Sequence, residues 1–288
     1  MKLIVEPEGG IDPILRAMAH ARTAIDILIF RLDCRSVTRA LEAAVRRGVL
    51  VRAMIARKHG GGRRDLRRLE RRLLRAGVVL SRTAGDLTRY HGKMMIVDRR
   101  VLHVYGFNYT RLDYESRSFG IVTTRAPLVR EALKLFEADA ARRTYTPADP
   151  RFVVSPGNSR ERLTAFIRGA RRQLLIYDPR LADPAIRELL TQQAAAGVDV
   201  RIIGDARHAR PPLRVEPFPG RRLHVRAIVR DGEQAFVGSQ SLRNGAFDRR
   251  REIGLIVSDP GVVGQIRSVF ERDWRLTGAP GARTRLVT

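Results

Sequence analysis

Apolar residues fall into short runs along the chain, and these runs alternate with longer segments whose apolar positions recur at helical spacing. Residues 24–30 and 49–55 are apolar runs typical of buried strands, and residues 36–47 between them show a helical pattern. The same order recurs in the second half of the chain, with a strand at residues 173–178, a helix at 183–196 and a strand at 198–203. Strands that alternate with helices in this way indicate an α/β fold.

Each of these units continues into further strands and a closing helix. The last strand and the closing helix are predicted at residues 119–123 and 127–142, and again at 253–257 and 261–274. A turn-rich stretch near residue 146 separates the units, so the predicted domains are residues 1–146 and 147–288. Self-similarity over the whole length indicates a tandem duplication. We therefore expect two similar halves packed about a pseudo-two-fold axis.

Composition adds a broad class and a compartment to this picture. The 288 residues are 44% hydrophobic and 30% charged, as in a folded globular protein rather than a disordered one. No apolar run approaches the roughly 20 residues that span a bilayer, and the first residues do not have the design of a signal peptide. The single cysteine, Cys34, excludes internal disulfides and a multi-cysteine metal site. We expect a cytoplasmic protein without a transmembrane segment.

The charge of the chain has two explanations, and both stay open. A net charge of +25 and a pI near 11.5 predict attraction to nucleic acid, anionic lipid or a phosphate-bearing substrate. Lysine occupies only four of the 55 basic positions, so the excess of arginine also fits a GC-rich coding bias with little functional meaning. Lys93 stands out among the arginines because it lies inside a repeated motif.

That motif occurs once in each half. Residues 91–98 and 224–231 both have the pattern His-x-cation-x4-Asp, and the copies lie 133 positions apart. Because alternate residues of a strand share a face, the histidine and the cation of each copy project together. These side chains are His91 and Lys93 in the first copy, and His224 and Arg226 in the second. Asp98 and Asp231 end the predicted strands at turn positions, where we expect supporting rather than reacting side chains.

A histidine beside a fixed cation suits a phosphodiester substrate. The cation binds the non-bridging oxygens and stabilises the charge that develops in the transition state. A neutral imidazole can attack phosphorus and form a covalent intermediate. A second, protonated imidazole can protonate the leaving oxygen and then activate water or an alcohol. Two histidines on matched frames can therefore divide one reaction between them.

The paired motif resembles the mark of the phospholipase D superfamily, a pair of His-x-Lys-x4-Asp motifs. The resemblance covers essentially the whole chain, including residues 270–274 near its end. It implies two α/β/α halves, each with a mixed sheet, and an active site at their interface. It also implies a phosphohistidine intermediate and neither a metal nor a cofactor. Members of the family hydrolyse or exchange phospholipid head groups, make cardiolipin or cut nucleic acids.

Carried over residue by residue, the resemblance implies that His91 is the nucleophile and His224 the general acid and base. The cations of both motifs would bind the phosphate, and the two motif aspartates belong to the same catalytic set. The family often follows each motif with Gly-Ser-x-Asn. Here the first copy keeps only the asparagine, Asn108, and the second keeps only the serine, Ser239. These two side chains are the implied polar ligands of the phosphate.

The sequence departs from the family pattern at two positions of the site. Arg226 stands where the family has lysine, and an arginine binds phosphate with a different geometry. The family's histidines are usually oriented by a downstream acid, and Glu252 fits that role for the second histidine. The equivalent position of the first half is Ser118, which leaves Asp113 or Glu115 as the candidate acid for the first histidine.

Residues 63–75 form a strongly basic segment with leucines at helical spacing. A surface helix docked by its leucines is favoured over a helix that binds anionic lipid or nucleic acid. The glycines at residues 60–62 predict a flexible linker. The histidines outside the motifs are expected to be structural or surface residues: His20, His59, His103 and His208. Four further arginines are candidates for a cleft rim or for plain solvated charge: Arg207, Arg210, Arg221 and Arg222.

The leading interpretation is a phosphodiesterase or phosphatidyltransferase that acts through a phosphohistidine, with phospholipid head groups as the favoured substrate. A nuclease of the same chemistry is the first alternative, supported by the charge. A catalytically weak phosphate-binding module is the second, motivated by Arg226 and Ser118. The expected partners are the phosphodiester and, for a lipid substrate, an anionic membrane contacted peripherally. Both half-sites lie in one chain, so we expect a monomer.

Overall fold

The computed structural model describes residues 1–56, 63–205 and 211–278, with the backbone alone at residues 63 and 64. The predicted linker at residues 60–62 lies outside the described residues. So do two of the histidines and two of the candidate rim arginines, namely His59, His208, Arg207 and Arg210.

The first half forms a mixed sheet. Its strands are β1 (Lys2–Glu6), β2 (Ala24–Ile29), β3 (Leu50–Ile55), β4 (Val79–Arg82), β5 (Arg89–Tyr90), β6 (Met94–Val97), β7 (Val101–Tyr105) and β8 (Ser118–Thr123). Its helices are α1 (Asp12–Ala19), α2 (Arg35–Arg46), α3 (Arg63–Arg75), α4 (Arg111–Tyr114) and α5 (Ala126–Ala140). The sheet order is β1-β8-β7-β6-β2-β3-β4, and β2, β3 and β4 run parallel. β2 is buried along its whole length, as its nearly continuous apolar sequence predicts.

The second half repeats this sheet strand for strand. Its strands are β9 (Phe152–Ser155), β10 (Gln173–Asp178), β11 (Asp199–Gly204), β12 (Arg214–Glu216), β13 (Ala227–Arg230), β14 (Gln234–Gly238) and β15 (Arg250–Val257). Its helices are α6 (Ser159–Arg168), α7 (Pro184–Ala195), α8 (Asn244–Asp248) and α9 (Pro260–Thr277). The order β9-β15-β14-β13-β10-β11-β12 matches the first sheet, with β10, β11 and β12 parallel. The predicted duplication, the mixed sheets and the α/β class are confirmed. The boundary at residue 146 falls between α5 and β9 and stays a prediction.

The apolar core is layered around the two sheets. Helices α1 and α2 cover the outer face of the first sheet, and α6 and α7 cover the outer face of the second. The inner faces of both sheets share one cluster with α5 and α9, whose Leu135 and Phe270 are fully buried. Burying a side chain of this size contributes roughly 1.5–3 kcal/mol. Because both halves contribute to this cluster, the core fixes one half against the other.

The halves also exchange short segments. β5 leaves its own half and pairs in parallel with β15, with Tyr90 opposite Arg251. The reciprocal contact is a parallel bridge between Arg117 and Leu223. Each exchanged segment comes directly before a motif histidine. The exchange therefore brings both motifs to the interface between the halves, as the family resemblance implies.

Two buried ion pairs cross the same interface. Arg117 of the first half donates to Asp273 Oδ1 of α9 at 3.1 Å, and Tyr177 donates to the other oxygen of that aspartate at 2.6 Å. Arg251 of the second half donates to Asp139 Oδ1 of α5 at 2.9 Å. Both pairs are almost completely buried, and their positions are equivalent in the repeat. Each pair ties the last strand of one half to the closing helix of the other.

We expect Asp273→Ala to lower the free energy of unfolding by about 2–4 kcal/mol, because Arg117 keeps only the half-exposed Glu8 as countercharge and Tyr177 loses its acceptor. Urea unfolding followed by circular dichroism measures the change. Asp248→Ala is the control, because it removes a pair with Arg160 in which both side chains are about half exposed, and it should cost about 1 kcal/mol or less. Equal losses in the two variants would contradict a special role for the buried pair.

Candidate active site

The motif histidines are held by the backbone of the opposite half. The N–H groups of His91 and Gly92 donate to the carbonyl of Arg251 at 2.7 Å, and His224 N–H donates to the carbonyl of Arg117 at 2.9 Å. Each histidine precedes the strand of its motif, β6 or β13, at the end that faces the other half. Both side chains are nearly buried, with 8% of His91 and 5% of His224 exposed.

Glu252 orients the first histidine, not the second. Its Oε2 lies 2.8 Å from Nδ1 of His91. The expectation that Glu252 would orient His224 is therefore wrong. The reason is the exchange of segments: β15, which carries Glu252, lies beside the strand that leads into His91.

Asp113 takes the corresponding place at the second histidine. Its Oδ1 lies 2.6 Å from Nδ1 of His224 and accepts a hydrogen bond from Arg222 at 2.8 Å. Its Oδ2 accepts from Asn108 Nδ2 and from Thr110 Oγ1, both at 2.9 Å. The sequence predicts Asp113 or Glu115 as the partner of the first histidine, whereas Asp113 lies beside the second.

The two other candidates for an acid in the first half do not reach a histidine ring. Ser118 occupies the position equivalent to Glu252, and its hydroxyl donates to the carbonyl of His224 at 3.3 Å. Glu115 is exposed and pairs with Arg111. The carboxylate missing from position 118 is thus supplied by Asp113, from the short helix that precedes β8.

The motif cations bind the backbone of their own histidines. Lys93 Nζ donates to the carbonyl of His91 at 2.5 Å, and the side chain is fully buried. Arg226 Nη1 donates to the carbonyl of His224 at 2.7 Å, and its Nε donates to Ser241 Oγ at 3.2 Å. The arginine in the second motif therefore makes the same contact as the lysine in the first.

Burial sets the charge state of the histidines. It lowers the pKa of His91 to about 4, although Glu252 opposes the shift. Burial and the charge of Arg226 lower the pKa of His224 to about 3 against the pull of Asp113. Both imidazoles are therefore neutral at pH 7. Burial also lowers the pKa of Lys93 to about 7.

The carboxylates stay ionised in spite of their burial. Burial raises the pKa of Glu252, but His91, Lys93 and the hydroxyl of Ser239 outweigh it and bring the value to about 2. Burial likewise acts on Asp113, and its hydrogen bonds hold the pKa of that carboxyl well below its usual range. Each ionised carboxylate lies within hydrogen-bond distance of Nδ1 and favours a proton there. Nε2 of His91 is then unprotonated and able to attack, and Nε2 of His224 is free to bind and release a proton.

The predicted phosphate ligands Asn108 and Ser239 lie in different surroundings. Asn108 lines the cleft that both histidines face. Ser239 is buried behind it, where its hydroxyl accepts a hydrogen bond from Ile253 N–H at 3.1 Å. Ser241, which is 133 positions after Asn108, lines the cleft in its place. In the sequence, the family's Gly-Ser pattern selects Ser239, so it does not show that Ser241 is the counterpart of Asn108.

Asp98 and Asp231 lie at the far ends of their strands and do not line the cleft. Asp98 accepts hydrogen bonds from the N–H groups of residues 22–24 at 2.7–3.1 Å, and Asp231 does the same for residues 171–173 at 2.7–3.2 Å. At about 3.3 Å per strand residue, Asp98 lies roughly 15–20 Å from Lys93. Both aspartates fix the loop before a central strand, so their inclusion in the catalytic set is corrected to a structural role.

We expect Asp98→Ala to cost about 2 kcal/mol of stability, because several backbone N–H groups lose a charged acceptor. The residue also has a positive φ of 52°, which alanine adopts less readily. Asp98→Asn keeps one acceptor oxygen and should lose less. Urea unfolding gives the stabilities, and kcat measured well below the unfolding temperature should change less than threefold, roughly within an energy of RT. A large loss of kcat at full folding would restore a catalytic role.

The cleft between the halves has a volume of about 500 Å³ and a cationic lining. Arginines from the described part of the chain that line it are Arg31, Arg89, Arg180, Arg222, Arg226, Arg243 and Arg250. The sequence indicated only Arg222 and Arg226, because the others come from separate loops and share no motif. Arg221, the other described rim candidate, is exposed and does not line the cleft.

Helix α3 is a surface helix held by leucines. Leu73 is fully buried and Leu66 and Leu69 pack against the core of the first half, whereas Leu74 is 56% exposed. The favoured interpretation of the basic segment agrees with this packing. None of the helices in residues 1–56, 63–205 and 211–278 is long and apolar enough to cross a membrane.

Comparison with known structures shows the same fold. Polyphosphate kinase from Porphyromonas gingivalis superposes with a TM-score of 0.79 and 20% sequence identity, over 95% of this chain and 47% of that one. Phosphatidylserine synthase from Haemophilus influenzae Rd KW20 superposes with a TM-score of 0.73 and 11% identity, over 96% and 86% of the two chains. The chain thus spans about half the length of the polyphosphate kinase. No curated protein sequence matches it.

A family model described as cardiolipin synthase, PLD-like domain, matches residues 14–140 and 212–274. These ranges include both His-x-cation-x4-Asp motifs, both orienting carboxylates, all of α5 and most of α9. The match covers well over half of the chain, and the duplicated fold agrees with it. The protein therefore belongs to the phospholipase D-like family of cardiolipin synthase domains.

Proposed function

We propose that the protein cleaves or exchanges phosphodiesters through a phosphohistidine, as a phosphodiesterase or phosphatidyltransferase that acts on phospholipid head groups. One observation carries this proposal: two neutral imidazoles, each held at Nδ1 by a buried carboxylate of the other half, face the same cationic cleft. A pair of oriented imidazoles beside fixed cations supplies a nucleophile, an acid and charge stabilisation at one point.

In the first step, Nε2 of His91 attacks phosphorus. An N–P bond forms while the bond from phosphorus to the leaving oxygen breaks, and that oxygen takes a proton from His224. His224 binds this proton at Nε2 from solvent beforehand, because the negative charge of the bound diester raises the pKa of an imidazole that is neutral in the free protein. Lys93 and Arg226 stabilise the non-bridging oxygens.

In the second step, water or an alcohol attacks the phosphohistidine. The new oxygen forms a bond to phosphorus, the N–P bond breaks, and the proton of the attacking hydroxyl passes to His224. Water gives net hydrolysis, and an alcohol gives transfer to a new ester. The same residues serve both outcomes, so the acceptor depends on what the cleft admits.

The description of the matched family, cardiolipin synthase, supports a phospholipid substrate. A nucleic acid strand is the second candidate, favoured by the arginines that line the cleft. The third candidate, a weak phosphate-binding module, loses one of its two motives, because Asp113 supplies the carboxylate that Ser118 lacks.

Activity on defined substrates tests the proposal. The protein is incubated with a chelator and either vesicles that contain phosphatidylglycerol or single- and double-stranded DNA. Head-group release or exchange supports the phospholipid substrate, and DNA cleavage supports the nuclease. The binding module is supported if the protein binds vesicles or DNA but turns over neither of them and does not cleave an aryl phosphodiester. Activity that the chelator abolishes would overturn the proposed chemistry.

With an aryl phosphodiester, kcat/KM should be bell-shaped in pH. The acid limb follows protonation of His91 near pH 4, and the alkaline limb follows loss of the Lys93 charge near pH 7. A nitrophenolate leaves without a proton, so His224 does not shape this profile. Lys93→Arg should move the alkaline limb upward by about one pH unit or more, because a guanidinium stays charged.

The control for this pH profile is Lys134→Arg. Lys134 is exposed and pairs with Glu131 outside the cleft, so the alkaline limb should stay in place. An alkaline limb that is unmoved in Lys93→Arg would show that another group sets it.

A further inference from the structure

The repeat pairs the cleft residues of one half with those of the other. Two walls result, which we name the Asp113 wall and the Glu252 wall after the carboxylates that orient the histidines. The Asp113 wall contains Arg31, Thr110 and Arg222, and the buried Ser116 lies behind it and accepts a hydrogen bond from Arg222. The equivalent positions of the Glu252 wall hold Arg180, Arg243, Arg250 and Arg89. Two of the four positions have therefore diverged from a hydroxyl to an arginine.

The arginines of the Asp113 wall are neutralised. Arg31 pairs with Asp33 at 3.0 Å, and Arg222 pairs with Asp113 at 2.8 Å. Two guanidinium groups thus face two carboxylates. Apart from the motif cations, this wall therefore has no unpaired positive charge that could bind a substrate.

The Glu252 wall carries uncompensated positive charge. Within the described residues, Arg89, Arg180 and Arg243 have no carboxylate within ion-pair distance, and Arg89 instead lies over the ring of Phe30. Arg250 is 3.9 Å from Glu252, at the outer limit of an ion pair, whereas Arg222 is 2.8 Å from Asp113 on the opposite wall. Asp205 also lines this wall and the charge of the buried Asp178 acts on Arg243, so the four arginines face three carboxylates when Glu252 is included.

Arg89 and Arg180 are exposed at the rim of this wall, whereas Arg243 and Arg250 are partly buried. The side chain of Arg250 is only 16% exposed, and Nε of Arg243 is buried without a hydrogen-bond partner among the described residues. Burial, followed by the repulsion of Arg243, lowers the pKa of Arg250 to about 10. Crowding like charges in a partly buried wall costs free energy unless an anion neutralises them. Guanidinium groups bind phosphate oxygens through paired hydrogen bonds.

We propose that the Glu252 wall is a subsite for a second phosphate group of the substrate. The preferred substrate is then a phosphodiester that carries a further phosphate on one side, rather than a diester with a single charge. The inference rests on the proposed function for the position of the reacting diester. A duplicated cleft with an excess of positive charge on only one wall matches a substrate with additional negative charge on only one side.

Calorimetric titration of the full chain tests the subsite without catalysis. In the presence of a chelator, inorganic pyrophosphate should bind at least about tenfold more tightly than inorganic phosphate, as expected from added charge-assisted hydrogen bonds. Arg243→Gln and, separately, Arg180→Gln should reduce that ratio to about threefold or less. Arg180 is exposed, so its replacement leaves the fold intact even if Arg243→Gln does not.

Arg31→Gln is the matched control, because Arg31 is the counterpart of Arg180 on the opposite wall and is already paired. It should leave the ratio of the two affinities unchanged. Equal binding of phosphate and pyrophosphate overturns the subsite. So does an equal effect of Arg31→Gln and Arg180→Gln, which would indicate general attraction to the charged cleft.

Turnover then distinguishes the sources of the second phosphate. One arm compares phosphatidylglycerol with phosphatidylglycerophosphate in vesicles, and the other compares a thymidine dinucleotide with and without a terminal phosphate. A preference of at least about tenfold in kcat/KM for the phosphorylated member of either pair supports the subsite and names its source. If both members of a pair are turned over with equal kcat/KM, the result counts against the subsite. If no diester is turned over, the proposed function fails while the binding ratio still decides the subsite.

Discussion

Replacing His91 by asparagine is expected to lower kcat by about 10⁴-fold or more on every phosphodiester, because no atom remains to accept the phosphoryl group. His224→Asn should depend on the leaving group instead. With a phospholipid, whose head-group oxygen needs a proton, the loss should be about 10²- to 10⁴-fold. With bis(4-nitrophenyl) phosphate, whose phenolate leaves without a proton, we expect a loss of about tenfold in the first step.

Steady-state kinetics on the two substrates measures this difference. An alkaline quench followed by mass spectrometry of the phosphorylated peptide identifies the histidine that carries the phosphoryl group, and the label should lie on His91. His103→Asn is the control for the loss of a buried imidazole, because His103 lies outside the cleft and is 4% exposed. A label on His224, or a leaving-group dependence in His91→Asn, would reverse the assignment of the two roles.

The architecture was largely predictable from the sequence because its cause is local. Apolar runs and helical spacing are set by neighbouring residues, and their recurrence along the chain is enough to predict the duplication. The predicted strand at residues 173–178 coincides with β10, and the predicted helix at residues 183–196 differs from α7 by one residue at each end. The histidines and cations were also found, since each motif is continuous in sequence.

The partners of the histidines were not predictable in the same way. Nothing in a single half shows that its last strand will lie against the motif of the other half, so Glu252 was assigned to the wrong ring. Asp113 lies outside the family's usual position, and only the turn of α4 brings it to His224. Asp98 is the opposite case. It belongs to the continuous motif, but it follows β6 and therefore lies far from the cleft.

The exchange of carboxylates predicts a crossed pattern of mutant effects. Glu252→Gln should lower kcat about 10²- to 10⁴-fold on the phospholipid and on the aryl diester alike, because it removes the group that fixes the nucleophile His91. Asp113→Asn should behave like a mild His224 variant, with a loss of about 10²-fold on the phospholipid and little loss on the aryl diester. Replacing the acid of one half should therefore reproduce the kinetic effect of replacing the histidine of the other half.

Glu115→Gln is the control, since Glu115 lies on the same short segment as Asp113 but is exposed and contacts Arg111. It should leave both rates unchanged. Removing Glu252 takes a countercharge from the buried Lys93, and removing Asp113 takes one from the more exposed Arg222. Unfolding curves are therefore needed to show that the variants remain folded at the assay temperature. If Glu252→Gln instead showed the leaving-group dependence and Asp113→Asn did not, each carboxylate would serve the histidine of its own half, and the crossed pairing would be wrong.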